Sequence, residues 1–167
     1  MVINDFLGEL KMNYKKIEIS GNNDDYKLDL LLTKIARWHN LTPKLWRGDY
    51  KISEKDVEET VNRIKNSQKK DLFLAIAEDE QDNVQGFIWA CRKEEAQDSV
   101  LILSLYTAEE YRDQGIATNL KKMLEEWSRL EGIKVIETTV HYTNKRMIDI
   151  NQKLGYIPGM VHMKKKL

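Results

Sequence analysis

SVLILSLYTAEEYRDQGIATNLKKMLEEWSRLEGIKVIETTV, residues 99 to 140, holds the pattern that decides the fold. Ser99 to Thr107 is an apolar run of strand length. Ile116, Leu120, Met123, Leu124, Trp127 and Leu130 then recur at helical spacing across roughly Gly115 to Glu131, and Gly132 is placed to end that helix. A second strand follows from Lys134 to Val140. Strand, helix of about four turns and strand make a βαβ crossover, so the strands ending at Thr107 and Val140 are expected to be parallel neighbours.

Upstream, Leu72 to Asp79, Val84 to Lys93 and Ser99 to Thr107 read as strands joined by short breaks, the first of them Glu80 to Asn83. Connections this short predict an antiparallel meander. An earlier strand is expected from Tyr14 to Ser20, with Ile17 and Ile19 alternating, before a turn at Gly21 to Asp24. Leu28, Leu31, Leu32, Ile35 and His39 predict a helix from Asp25 to about Asn40. Leu41 to Lys51 reads as a loop. A second helix starts at Ser53, where Asp56 completes a capping box, Ile52 and Val57 form a hydrophobic staple, and Val61 and Ile64 continue the stripe. Downstream, a short helix from Asn144 to Leu154 buries Met147, Ile150 and Leu154, and a last strand runs near Met160 to Lys166. The expected architecture is a single α/β domain over residues 1–167. Its sheet is mixed and mostly antiparallel, of roughly six to seven strands, flanked by about four helices.

Composition narrows the function classes. With 167 residues, 41% hydrophobic and 32% charged, the chain suits one ordinary globular core. Twenty-seven basic residues balance 27 acidic ones, so nothing in the net charge draws the chain to nucleic acid or an anionic membrane. Lys164 to Lys166 read as a solvated end. Cys91 is the only cysteine, which excludes an intramolecular disulfide or a cysteine zinc site, and no two of His39, His141 and His162 share a helical turn. His39, on the apolar face of its helix, reads as a packed histidine. Met1 to Phe6 lacks the pattern of a signal peptide, and a cytoplasmic protein is the expectation.

The segment Glu109 to Ala117 joins a strand to a helix through a turn containing Gly115 and the small Ala117. Unpaired backbone N–H groups at such a helix start converge on an anion, and phosphate is the natural guest. Arg112 adds a fixed charge with a planar donor fork, and Gly115 lacks the Cβ that would block close approach. Spacing alone suits a helix start that merely turns on glycine equally well. The loop carries neither the Gly-Lys-Ser/Thr of a Walker A loop nor the three glycines of a dinucleotide fingerprint.

Arg112-x-x-Gly115-x-Ala117, introduced by Glu110-Tyr111 and followed downstream by Asn144, Met147, Leu154 and Gly155-Tyr156, resembles the GNAT superfamily of acyl-CoA-dependent N-acyltransferases. The resemblance is specific over about Ser99 to Pro158 and general over Leu72 to Arg92. It implies a GNAT-like fold whose parallel strands four and five splay apart, with acetyl-CoA as co-substrate and no metal. It implies that the amides of Arg112, Asp113, Gln114, Gly115, Ile116, Ala117 and Thr118 hold the pyrophosphate. The pantetheine arm would pair with the backbone of Leu105, Tyr106 and Thr107, and Asn144 and Asn151 would meet the arm from its other side. It also implies that Trp46, Asp49 and Tyr50, between the first two helices, line an acceptor site for a small-molecule or peptide amine; a surface loop anchored by one tryptophan is the plainer alternative.

In this family the amine attacks the thioester directly, while an N–H of strand four polarises the carbonyl and an acid protects the leaving thiolate. Many relatives place a tyrosine acid where this chain has Asn151, and some a glutamate where it has Thr139. Neither replacement exchanges protons near neutral pH. Asn151 and Tyr106 stand as catalytic candidates, with Tyr142 as a conceivable donor and His141 as a conceivable base; half-buried rim residues are the bland reading of all three aromatic or imidazole side chains. Three readings therefore compete: an N-acetyltransferase, an acyl-CoA-binding module without efficient transfer, and an unrelated α/β adaptor. Homodimerisation is left open.

Overall fold

Side-chain caps start the first two helices where the sequence places them. The computed structural model describes residues 11–19, 25–45, 47–160, 162, 163 and 165. Helix α1 (Tyr26–Leu41) begins where Asp25 accepts hydrogen bonds from the amides of Lys27 and Leu28 at 3.0 and 3.3 Å. Helix α2 (Glu54–Lys65) opens on a reciprocal box, with Ser53 Oγ accepting from Asp56 N at 3.2 Å and Asp56 Oδ2 accepting from Ser53 N at 2.8 Å. Each cap satisfies amides that the helix cannot pair internally. Between them, Thr42–Leu45 forms a 3₁₀ turn where a loop without regular structure is expected, and Arg47 N donates to Pro43 O at 2.9 Å.

The chain forms two compact units, residues 1–137 and 138–167. In the first, β1 (Asn13–Lys16), β2 (Leu72–Glu78), β3 (Val84–Arg92) and β4 (Ser99–Thr107) pair antiparallel in sequence order. Helix α3 (Ile116–Leu130) then leads to β5 (Val135–Thr138), which lies parallel beside β4. The meander and the crossover are those expected.

The sheet has five strands among the described residues, not six to seven. The first strand is shorter than Tyr14 to Ser20; Ile17 adds one bond, to Leu74 O at 2.8 Å, while Ser20 and the turn expected at Gly21 to Asp24 lie outside the described residues. No strand forms in the described part of Met160 to Lys166, where Met160 and Met163 are 103% and 87% exposed. Alternating side chains stabilise a strand only when one face is buried, and the described residues of this segment are all exposed.

Helices α1 and α2 cover one face of the sheet, where Leu32, Ile35 and Ile64 pack with Leu72, Leu74, Ile76, Val84, Phe87 and Trp89. Helix α3 covers the other, with Trp127 5.3 Å from Phe73 between ring centroids. Strand β2, covered on both sides, is buried at every position. Ile116, Leu120, Leu124 and Trp127 are buried as their spacing requires, but Leu130 is 81% exposed. Lys121 and Ser128 are buried instead. Both lie on the flank of Leu124 opposite Leu130, so the covered arc of α3 is turned toward them and away from the helix end.

Two bulges interrupt the ladders. Ala77 pairs with Gly86 but Glu78 pairs with Val84, leaving Gln85 extra in β3. Trp89 pairs with Ser104 but Ala90 pairs with Ile102, leaving Leu103 extra in β4. A bulge sharpens local twist and frees backbone groups from the ladder.

In the second unit, α4 (Lys145–Lys153) starts at Asn144, whose Oδ1 accepts from Met147 N at 3.1 Å. Met147, Ile150 and Leu154 are half-buried as expected, and Asn151 is the buried residue of the helix. Gly155, at φ +84°, turns the chain, and Tyr156 N donates to Asn151 O at 3.0 Å.

Gly86 sets how closely α3 approaches the sheet. A Cβ there would lie 2.9 Å from Tyr106 O and 3.0 Å from Ile116 Cγ2. Because one of those neighbours is backbone, Gly86→Ala is expected to destabilise the fold by about 1–3 kcal/mol, as overpacking does. Urea unfolding measures this, and unchanged stability would show that α3 gives way freely.

Candidate functional site

Beyond Thr107 the chain is fastened before it turns. Ala108 N donates to Gln85 O at 2.7 Å, which carries the β3–β4 ladder one residue past the Gly86–Thr107 pair. Glu109–Tyr111 makes a 3₁₀ turn closed by Tyr111 N to Ala108 O at 3.0 Å and Arg112 N to Glu109 O at 3.3 Å. Two left-handed residues follow, Asp113 at φ +65° and Gly115 at φ +78°. Aspartate tolerates that region and glycine occupies it without strain. A Cβ at Gly115 would meet nothing within 4 Å, so glycine is required there by conformation rather than by crowding, and the approach to the helix start is open.

The α3 N-terminus differs from the others in how its amides are treated. Asp25, Ser53 and Asn144 cap α1, α2 and α4 with side-chain oxygens, whereas Gly115 supplies none. The first intrahelical bond of α3 is Asn119 N to Gly115 O at 2.9 Å, so the amides of Ile116, Ala117 and Thr118 have no partner within the helix. The first turn also lacks an acidic residue. This is the positive end of a helix dipole with donors left for an incoming anion. Arg112 flanks it, with Nε donating to Thr107 O at 3.2 Å and Nη1 4.0 Å from Glu109 Oε1, too far for a hydrogen bond. Gln114 Nε2 donates to Glu110 O at 3.2 Å, which braces the turn.

Leu105, Tyr106 and Thr107 lie half-buried at the end of β4, opposite Ile88, Phe87 and Gly86 and just beyond the Leu103 bulge. Tyr106 stacks on Trp38 at 4.6 Å and lies 6.5 Å from Phe87, on the α1 side of the sheet. Lys34 stands 4.7 Å over Trp38 and donates to Val84 O at 2.8 Å; burial lowers its pKa. Of the acceptor residues read from the sequence, Asp49 is exposed, Tyr50 is half-buried with its N–H bonded to Arg47 O at 3.0 Å, and Trp46 lies outside the described residues. His39 meets Trp89 edge-on at 5.1 Å, and its pKa is lowered by burial first and by Arg63 second, as befits a packed histidine.

The remaining sequence candidates lie in the second unit. Asn144 is exposed with its carbonyl oxygen committed to the α4 cap. Asn151 is 6% exposed, and its Oδ1 makes no hydrogen bond among the described residues. His141 and Tyr142 lie past the end of β5 rather than at a strand end, because β5 stops at Thr138. His141 Nδ1 is 2.7 Å from Thr143 Oγ1, and Tyr142 is 73% exposed. No group of three or more His, Cys, Asp or Glu residues placed to hold a metal occurs among the described residues, and no described helix is long and apolar enough to cross a membrane.

Sequence reading misses Asp79, which follows β2 directly. Its carboxylate accepts from Gln85 Nε2 at 2.7 Å, from the amides of Asn83 and Gln81 at 2.9 and 3.0 Å, and from Tyr111 Oη at 3.3 Å. An acidic residue opening a hairpin signals a turn and nothing more, so its reach to Tyr111 has no sequence signature.

The Gln85 hydrogen bond, with the amides of Asn83 and Gln81, holds the Asp79 carboxyl down at about 2 against the opposing effect of burial. Burial first, and the Asp79 charge second, push the Tyr111 hydroxyl above its ordinary value. A carboxyl depressed on folding contributes stability that is present above its unfolded value near 3.8 and is lost as pH falls toward about 2. Unfolding titrations across that window are expected to show a shallower loss of stability for Asp79→Asn than for wild type; parallel curves would disprove the coupling.

The model of the acetyltransferase (GNAT) family matches residues 35–156. No curated protein sequence matches the chain. Among solved structures, the aminoglycoside N-acetyltransferase AAC(6')-Iy in complex with CoA is 18% identical, with a TM-score of 0.66 over 94% of this chain and 95% of that one. The 6'-N-acetyltransferase AAC(6')-Ih from Acinetobacter baumannii is 18% identical, with a TM-score of 0.63 over 94% and 99%. An aminoglycoside acetyltransferase from an uncultured soil metagenomic sample, in complex with sisomicin, is 14% identical, with a TM-score of 0.65 over 93% and 96%. These likenesses are of fold. The family match runs from within α1 to the turn after α4 and includes the whole uncapped helix start, and by it the chain belongs to the acetyltransferase (GNAT) family.

Proposed function

We propose that this protein is a cytoplasmic N-acetyltransferase that moves an acetyl group from acetyl-CoA to a primary amine of a small molecule or peptide, by direct attack of the amine on the thioester. The observation that carries the reading is the α3 start, where Gly115 provides no cap and the amides of Ile116, Ala117 and Thr118 lack helical partners. A pyrophosphate supplies the acceptor oxygens that such a site lacks, and Arg112 supplies counter-charge. The backbone of Leu105, Tyr106 and Thr107, paired with β3 along one edge, is assigned along its other edge to the two amides of a pantetheine arm. Asn144 and Asn151 are assigned to the same co-substrate on the family pattern alone. The solved relatives named above act on aminoglycosides, which supports the small-molecule acceptor over the peptide.

In the reaction the amine nitrogen bonds to the thioester carbon, a backbone N–H of β4 stabilises the charge that develops on oxygen, and the C–S bond breaks to release the thiolate. Tyr106 is the assigned hydroxyl that gives the thiolate its proton, and the proton shed by the amine nitrogen leaves through water, from which Tyr106 is reprotonated. Asn151 donates hydrogen bonds without giving up a proton. The acceptor pocket is assigned to Asp49 and Tyr50 together with Trp46.

The second reading, an acyl-CoA-binding module without efficient transfer, is favoured by Asn151 and Thr139 standing where many relatives carry proton-exchanging groups.

Calorimetry with acetyl-CoA, joined to release of free CoA thiol across a panel of amines that includes aminoglycosides, separates the two. Binding with turnover supports the enzyme, binding without turnover supports the module, and absence of binding removes both. Arg112→Ala is expected to weaken acetyl-CoA binding by about tenfold or more, the worth of a hydrogen bond to a charged group. Gly115→Val, forced out of the left-handed region, is expected to lose at least about 100-fold while circular dichroism stays that of a folded protein. Tyr106→Phe is expected to lower kcat by about tenfold or more, within the range of a lost general acid; an unchanged kcat would remove Tyr106 from the chemistry and leave transfer standing.

A further inference from the structure

The segment Ala108 to Gly115 has no regular secondary structure beyond one 3₁₀ turn, yet it is tied to the β2–β3 hairpin at its start and again at its middle. One tie is Ala108 N to Gln85 O at 2.7 Å. The other is Tyr111 Oη to Asp79 Oδ2 at 3.3 Å. The two ties are linked, because Asp79 Oδ2 also accepts from the side-chain Nε2 of Gln85 at 2.7 Å. Asp79 is 5% exposed and is itself held by the amides of Gln81 and Asn83, at 3.0 and 2.9 Å, and by Asn83 Nδ2 at 3.2 Å. It is a rigid post. Tyr111 directly precedes Arg112, so the point where the post grips the loop is one residue from the cationic side chain and four from Gly115.

We propose that Asp79 is a positioning residue for the co-substrate site: through Tyr111 and Gln85 it holds the Ala108 to Gly115 segment in its binding shape before acetyl-CoA arrives. The affinity consequence rests on the coenzyme A site proposed above; the ordering of the free loop does not. A loop already ordered loses little freedom on binding, so the amides and Arg112 act on the pyrophosphate without an ordering penalty. Asp79 touches neither the co-substrate amides nor Arg112 and enters no chemical step.

The test uses the full chain and two readouts. Hydrogen exchange of the free protein follows the amides of residues 108 to 118, and acetyl-CoA titration with steady-state kinetics follows affinity and turnover. Tyr111→Phe removes one hydroxyl from the surface end of the network and should leave the core folded. It is expected to speed exchange of the hydrogen-bonded amides of Ala108, Tyr111 and Arg112 by roughly tenfold and to raise the KM and Kd for acetyl-CoA by a similar factor, the scale of one lost hydrogen bond to a charged group. The kcat and the KM for the amine should change by less than about twofold, since a group that only orders the co-substrate loop contributes uniform binding. Asp79→Ala should produce the larger loss, Asp79→Asn should recover part of it by restoring an acceptor oxygen, and Tyr111→Phe should add nothing in the Asp79→Ala background. Unchanged loop exchange in Tyr111→Phe overturns the proposal, as does faster exchange with unaltered acetyl-CoA affinity or additive losses in the double variant. Wild-type protein that fails to bind acetyl-CoA overturns the function instead, and that is seen before any variant is made.

Discussion

The closest constraint in this fold is the approach of the first turn of α3 to β3, at the position where Gly86 presents no side chain. Ile116 occupies the space a Cβ would take, and Tyr106 O closes it from the neighbouring strand. From that point the rest of α3 follows, because Leu120, Leu124 and Trp127 continue the buried arc along the sheet. The crossover to β5 is then determined by the length of the helix and its right-handed return. The segment between β4 and α3 has both ends defined before its own sequence is considered, one by the Gly86 contact and one by the Gln85 carbonyl.

Within that frame the molecule deals with helix amides in two ways. Three helices meet their first-turn N–H groups with a side chain of their own, and the helix that leads out of β4 does not. Asp25 and Ser53 cap from extended backbone, whereas position 115 stands at φ +78°, which glycine occupies without strain and without a side-chain oxygen to occupy the donors. Glycine thus makes the turn and leaves the amides unsatisfied in the same step. The energy forgone by omitting a cap is available to a ligand that brings its own oxygens. Family membership and this local arrangement point the same way.

Much of this was legible in residues near one another in the chain. The capping box at Ser53 and Asp56, the stripe of α3 through Trp127, the meander and the βαβ unit all rest on local spacing, and each is found in the structure. What local spacing cannot show is which edge of a helical stripe turns inward: Leu130 fits the α3 period and is exposed, while Lys121 and Ser128 are buried. Nor can it separate an alternating tail that pairs from one that does not, as Met160 and Met163 illustrate. The candidate loop was legible as a motif from Arg112 to Ala117, but its supports were not. Asp79 and Tyr111 are far apart in sequence, and they meet only because β3 and β4 pair side by side after the hairpin. Tyr106 is half-buried, in keeping with its plainer reading, but its stack on Trp38 joins residues that the sequence keeps far apart.

The β3–β4 ladder gives the arrangement its logic. Beyond the Leu103 bulge pairing resumes at Ser104 and runs in register to Thr107 opposite Gly86, and the bond from Ala108 N to Gln85 O continues it by one more residue. The bulge at Gln85 lies on the β2 side of β3 and leaves that bond untouched. The start of the segment that leads to α3 is therefore fixed by main-chain atoms, and a change of side chain at Ala108 or Gln85 leaves those atoms in place.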